Sequence, residues 1–183
     1  MGQKTHPVGF RLQINKKWKS TWFTENSFAS ELESDVKIRK YLKARLPNAG
    51  ISKVDISRTS KNITITIYTA RPGIVIGKGG EEVNRLKDEV KQLTSEPSNS
   101  GKNTKSVQIN ISEIKRPELD AALVGANIAH QLQKKVSYRR VVSKVIQSTM
   151  RMGAEGIRIN VAGRLGGSEI ARSEKFVENF VEE

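Results

Sequence analysis

From Ala70 to Leu93 the chain reads A-R-P-G-I-V-I-G-K-G-G-E-E-V-N-R-L-K-D-E-V-K-Q-L, and the reading of this stretch decides the fold. An apolar run, Ile74-Val75-Ile76, leads into Gly77-Lys78-Gly79-Gly80, after which Val83, Leu86, Val90 and Leu93 recur at helical spacings. Glycines let backbone approach a ligand with no Cβ in the way. Amides at the start of the following helix are unsatisfied donors at the positive end of its dipole. Lys78 adds a mobile cation at the tip. Gly77, Lys78, Gly79 and Gly80 thus offer a seat for a phosphodiester backbone. A P-loop is excluded, because only three residues separate Gly73 from Gly77-Lys78 and Gly79 stands where a magnesium-binding hydroxyl is needed. The dinucleotide fingerprint G-x-G-x-x-G is not met either.

The I-G-x-x-G pattern fits a KH module, whose loop clamps nucleotides by their backbone. A plain tight turn between two helical segments explains the same four residues equally well, so the flanks decide. Upstream, Ile38, Tyr41, Leu42 and Leu46 predict a helix from about Ser34, or a few residues earlier, to Leu46, with Asp35 and Arg39 as an i,i+4 pair. Pro47-Asn48-Ala49-Gly50 stops it. Two alternating runs follow, one with Val54 and Ile56 on a face, the next with Ile63, Ile65 and Ile67. Beyond the glycine stretch, Ser95–Lys105 reads as a mobile loop, and Val107, Ile109 and Ile111 alternate as a third strand. Helix, strand, strand, short helix, G-x-x-G, helix, strand is the order of a type 2 KH domain. Arg71, just ahead of the loop, is a further phosphate candidate.

Composition narrows the partners. The 183 residues carry a formal charge of +13, which favours a polyanion. No segment approaches the roughly 18 consecutive apolar residues of a membrane span, and the start lacks the apolar core of a signal peptide. A membrane partner is therefore not expected, and a cytoplasmic-type compartment is. Without cysteine, and with only His6 and His130, neither thiol chemistry nor a histidine-based metal site is expected, and no cofactor is called for.

The first 24 residues hold Lys4, Arg11, Lys16, Lys17 and Lys19 and no acidic side chain. Pro7 and Gly9 discourage a helix there, so an extended basic arm that orders on a partner is expected. Trp18 and Trp22 are expected to dock on the nearest domain. A second module opens at Lys115-Arg116-Pro117-Glu118, with a helix from Pro117 to about Val136 and another from Ser137 to Met152. On the latter, Val141, Val145, Ser148 and Met152 form one strip, and Arg140, Lys144, Gln147 and Arg151 another. A basic strip is usually only a solvated face. Between Lys134 and Arg172, however, nine basic residues face just Glu155 and Glu169, and this surplus points to RNA. Ile157, Ile159 and Val161 alternate as a strand, and Gly163-Arg164-Leu165-Gly166-Gly167 is either a plain turn or another place where backbone meets phosphate.

Taken together, several blocks resemble a known family. They are M-G-Q-K-T-H-P-V-G-F-R-L at the start, S-T-W-F at Ser20, T-A-R-P-G-I-V-I-G-K-G-G-E-E-V, K-R-P-E-L-D-A at Lys115, Y-R-R at Tyr138, R-M-G-A-E-G-I at Arg151 and G-R-L-G-G-S-E-I-A-R at Gly163. Their order and extent resemble the bacterial-type protein number three of the small ribosomal subunit.

The resemblance implies a non-enzymatic α/β (α+β) protein. Its parts would be a basic arm at 1–24, a type 2 KH domain at 25–114 and an incomplete second α/β domain at 115–183. It implies a place in the subunit head, with small-subunit (16S-type) ribosomal RNA, messenger RNA and neighbouring ribosomal proteins as partners. The site would lie where messenger enters the ribosome and is unwound, in a bacterial cytoplasm or on an organellar ribosome. RNA-binding candidates carried by the matching motifs and the basic surfaces are Lys4, His6, Arg11, Arg71, Gly77, Lys78, Gly79, Gly80, Arg139, Arg140, Lys144, Arg151, Arg164 and Arg172.

The family commonly has a lysine where this chain has Ser143, which leaves open whether Lys144 takes that contact. The match is expected to stop near Phe176, leaving the strand at 155–163 unpaired at its edge. Two rival functions stay on the page. One is a free KH-type regulator acting off the ribosome. The other is a carboxylate-and-metal nuclease, for which no acidic cluster speaks.

Overall fold

The structure, a computed structural model, describes residues 3–94 and 106–179. The loop expected at Ser95–Lys105 lies outside the described residues. The chain divides into two compact units, Met1–Glu113 and Ile114–Glu183.

In the first unit the alternating apolar runs become β2 (Ile51–Arg58) and β3 (Asn62–Thr69), paired antiparallel, with β4 (Ser106–Glu113) parallel to β3. A two-residue strand, β1 (Ser20–Thr21), adds parallel to β2 and gives the order β1-β2-β3-β4. Period-2 patterning puts Val54, Ile56, Ile63, Ile65, Ile67 and Ile109 into one core. The helices cover that face. From α2 (Phe28–Arg45) come Ile38 and Leu42, and from α4 (Glu81–Thr94) come Leu86 and Val90, all at 0% exposure. Between β3 and α4 lies the short α3 (Pro72–Ile76), which buries Val75. Fully burying such side chains stabilises by about 1.5–3 kcal/mol each, so this core anchors the loop at either end.

Three expectations for this unit are corrected. The arm is not simply extended. Pro7 opens a single helical turn, α1 (Pro7–Phe10), because the first turn needs no N–H from that residue and Pro arrives with a helical φ. Ser20 and Thr21 are already paired with β2, so the arm's end orders on its own chain. Asp35 does not pair with Arg39. Its carboxylate is fully buried and accepts hydrogen bonds from Ser20 Oγ (2.6 Å), Trp22 Nε1 (2.9 Å) and Arg58 Nε (2.7 Å). Arg58 also reaches Glu31 and Ser34 Oγ, whereas Arg39 donates to Lys19 O (2.9 Å) and Ser20 Oγ (2.6 Å). A buried carboxylate takes the partner that is buried with it. Trp22 docks as expected, while Trp18 stays 59% exposed and does not.

The second unit contains α5 (Ala121–Gln133), α6 (Tyr138–Arg151), β5 (Ile157–Gly163) and β6 (Arg172–Glu178). Its first helix begins at Ala121 rather than Pro117. Asp120 caps it by accepting from the amides of Ala122 (2.9 Å) and Leu123 (3.2 Å), a stronger start signal than proline. The strand at 157–163 is not unpaired. It forms an antiparallel ladder with β6, running from Ile157↔Glu178 to Gly163↔Arg172. Val142 and Ile146 of α6 pack with Val161 and Leu165, and Val141 and Val145 pack with Ile128 of α5.

Candidate nucleic-acid interface

The glycine loop is shaped by backbone that only glycine adopts readily. α3 ends at Gly77, whose N–H bonds to Gly73 O (3.0 Å) and whose φ is 71°. A Cβ at that position would lie 2.7 Å from Glu82 Cγ, so close approach as well as conformation requires glycine. Gly79 and Gly80 have φ of 62° and 82° in open space, and Lys78 between them and Gly77 is exposed. The turn opens directly into α4, whose first residues are Glu81 and Glu82. Glu82 has Arg45 and Arg85 within 3.4 Å and Glu81 has Arg85 at 3.6 Å, so these carboxylates are met by cations beside the loop. Ile74 and Ile76 of α3 remain about two-fifths exposed, 42% and 41%, and give the loop an apolar flank. Arg71 sits at the opposite end of α3, which at a rise of about 1.5 Å per residue puts it roughly 9 Å along the axis from Gly77.

In the arm, His6 has a local task. Its Nδ1 accepts the Gly9 N–H (3.2 Å) and caps α1, while Arg11 closes the turn by donating to Pro7 O (3.3 Å). Lys4 is exposed.

On α6 the core takes Val141, Val142, Val145, Ile146 and Thr149. Ser148 and Met152, expected on that apolar strip, are exposed, because α6 is packed on two sides and its buried arc is centred one residue further on. The exposed arc holds Arg140, Lys144, Gln147 and Arg151, which at about 100° per residue fall within roughly 60° of one another. The helix has no acidic residue to offset them. Lys144 lies about 40° from Arg140, and Ser143 about 60° from it on the other side. Arg139 stands about 100° away from Arg140, on the flank toward β6.

That flank brings together residues the sequence did not connect. Glu174 on β6 accepts a hydrogen bond from the Tyr138 hydroxyl (2.9 Å), and its Oε1 lies 3.7 Å from Arg139 Nη2 and 3.9 Å from Arg172 Nε. Arg139 Nε donates to the Tyr138 hydroxyl (3.1 Å), and this bond, with the nearby Glu174 charge, favours the guanidinium cation still further. Arg164 instead holds its own turn by donating from Nε to Ser168 O (3.0 Å). Gly166 and Gly167 of that turn have positive φ, and Leu165 is buried beneath it. Glu174 and Arg58 are the residues sequence reasoning passed over. Glu174 carried one usable signal, the spacing Arg172–Glu174–Phe176 that puts all three on one face of a strand.

Among the described residues no group of His, Asp and Glu side chains is arranged to hold a metal ion, and no helix is long and apolar enough to cross a membrane. Chemically, these surfaces are suited to anions: exposed guanidinium and ammonium groups on rigid elements, and a glycine loop feeding a helix N-terminus.

Comparison with known proteins agrees with this chemistry. A KH-domain family model matches residues 37–119. A second, described as the C-terminal domain of ribosomal protein S3, matches residues 128–183. The likeness therefore does not stop near Phe176 but runs on to residue 183. Among curated relatives, the small ribosomal subunit protein uS3 of Cytophaga hutchinsonii is 53% identical over 99% of this chain and 68% of its own length. That of Salinibacter ruber is 50% identical over 99% and 73%, and that of Flavobacterium johnsoniae 54% over 99% and 68%.

Proposed function

The chain belongs to the uS3 family of small ribosomal subunit proteins, and from that premise we propose that it binds messenger RNA through the exposed face of α6 where the message enters the subunit. As a member of the family it is a structural constituent of the small subunit with a KH domain, not an enzyme. Its contacts are with small-subunit ribosomal RNA and neighbouring ribosomal proteins.

The observation that carries the messenger reading is the division of α6. Two buried sides fix the helix, and the remaining face presents Arg140, Lys144 and Arg151 with no carboxylate on the helix to oppose them. Such a face neutralises backbone phosphates without reading bases. It holds unpaired message better than paired when only a single strand can follow the row of cations. Strand separation then needs no nucleotide hydrolysis of its own. Lys144 works beside Arg140 and Arg151, and so takes the contact that Ser143 lacks. The glycine loop, by the same logic, seats ribosomal RNA through Gly77, Lys78, Gly79 and Gly80, with Arg71, Lys4 and Arg11 as further cations of the first unit, while Arg164 and Arg172 are cations of the second. The unit from Ile114 onward would be the part of the family's second domain that carries α6.

The test is the double variant Arg139→Ala, Arg140→Ala in subunits that still assemble. Translation through a stable messenger hairpin is expected to slow, with unstructured messages translated at the normal rate. Equal slowing on both kinds of message would refute the reading.

A further inference from the structure

We infer that Glu174 is an internal competitor for RNA phosphate: it holds Arg139 and Arg172 at one carboxylate oxygen and so limits how tightly they grip a bound strand. The inference rests on the reading of α6 as an RNA-binding element and deepens it.

The geometry is specific. On β6, Arg172, Glu174 and Phe176 share a face, and Phe176 packs in the core under α6. Glu174 sits opposite Val161 and Arg172 opposite Gly163, a residue with no side chain to crowd the arginine. The carboxylate is fixed in place by the Tyr138 hydroxyl at 2.9 Å and is only 26% exposed. The two arginines are far more open, 70% for Arg139 and 56% for Arg172. Their nitrogens approach Glu174 Oε1 to 3.7 Å and 3.9 Å, outside good hydrogen-bond distance. The cations are thus gathered by charge rather than locked by short bonds. Two positive groups on one carboxylate leave a net single positive charge, which one phosphodiester would neutralise. A phosphate that binds both arginines must draw them from Glu174.

This arrangement suits a contact that has to be made and broken repeatedly. Arg139 and Arg140, neighbours in sequence, then do different things. Arg140 belongs to the open strip on α6, and Arg139, turned about 100° toward β6, belongs to a site whose affinity is held down by its own counterion.

The experiment uses the full chain and a fluorescent single-stranded oligoribonucleotide, with dissociation constants measured across salt concentrations. Glu174→Gln keeps an acceptor for Tyr138 and removes the charge. It is expected to tighten binding about two- to fivefold at low salt, the range set by an exposed ion pair, with the gain fading as salt rises. In an Arg139→Ala, Arg172→Ala background the same change is expected to do nothing, whereas a general charge effect would persist there and overturn the inference. Glu174→Asp keeps the charge and is expected to stay within about twofold of the parent. Weaker or unchanged binding in Glu174→Gln would overturn it too, the former marking a purely structural carboxylate. If Arg139→Ala and Arg172→Ala do not weaken binding at all, the RNA reading of this face falls. If they do and Glu174→Gln fails to tighten, only the Glu174 inference falls.

Discussion

Replacing Asp35 by alanine is expected to remove about 3–5 kcal/mol of stability from the first unit, the usual cost of stripping one partner from a buried charge pair. Three observations set the figure. Asp35 is fully buried, and the Arg58 side chain against it is only 5% exposed, so the guanidinium left behind cannot turn to water. Glu31, itself 18% exposed, still faces Arg58 and holds the loss below that of a wholly unpaired cation. The Ser20 hydroxyl and the Trp22 N–H lose their acceptor at the same time, and unsatisfied donors add to the cost. Against the total of about 5–15 kcal/mol typical of a domain, this is a large fraction. The assay is urea unfolding followed by tryptophan fluorescence, since both tryptophans, Trp18 and Trp22, lie in this unit. Because Asp35 also ties down Ser20 and Trp22, trypsin should cut faster at Lys16, Lys17 and Lys19 in the variant. A loss under about 1 kcal/mol, the range of an exposed pair, with unchanged proteolysis would refute the reasoning.

Other changes test other parts of the structure. Lys78→Asp with Gly79→Asp sets two anions against the loop and should weaken RNA binding at least tenfold at low salt, measured by titration; unchanged affinity across salt would remove the loop from the interface. Gly156→Ala should destabilise the β5–β6 hairpin, because a Cβ there would stand 2.5 Å from the Asn179 carbonyl oxygen; faster hydrogen exchange along β5 would report it, by about 1–3 kcal/mol. The Tyr41 hydroxyl donates to Glu89 (2.6 Å), and that bond, with burial, raises its pKa above the usual value. The folded state therefore holds the proton more firmly than the unfolded one, so this contribution is complete below about pH 10 and declines as pH rises past it. Tyr41→Phe should accordingly cost about 1 kcal/mol at neutral pH, and the gap to the parent should narrow in alkaline urea titrations; a gap independent of pH would contradict it.

The contrast between what the residues announce and what they conceal has a physical cause. Ile63, Ile65 and Ile67 announce a strand because a sheet with one buried face demands alternation, and the fold buries all three at 0% exposure. The loop at Gly77–Gly80 was readable because glycine is needed for the backbone itself. α6 was readable because its faces differ in charge, though its buried arc was placed one residue off by counting Ser148 and Met152 as inward. The hidden features depend on partners distant in the chain. Asp35 and Arg39 have ideal helical spacing, yet burial joins Asp35 to Arg58, 23 positions away. The strand β6 offers only Phe176 as an inward apolar residue among Arg172, Glu174 and Glu178, so its alternation was masked. Glu174 reads as an ordinary surface acid until the fold sets it beside Tyr138 and Arg139. His6 reads as a candidate RNA ligand, and local geometry makes it a helix cap.

The most direct measurement places a photo-crosslinking side chain at Gln147, in the middle of the Arg140–Lys144–Arg151 face, within small subunits carrying a defined message. Irradiation should join α6 to messenger nucleotides that have not yet reached the decoding site, with the yield falling when Arg140 and Lys144 are replaced by alanine. Crosslinks confined to ribosomal RNA or to neighbouring proteins, with the messenger left unlabelled, would contradict the proposal that this face of α6 receives the message.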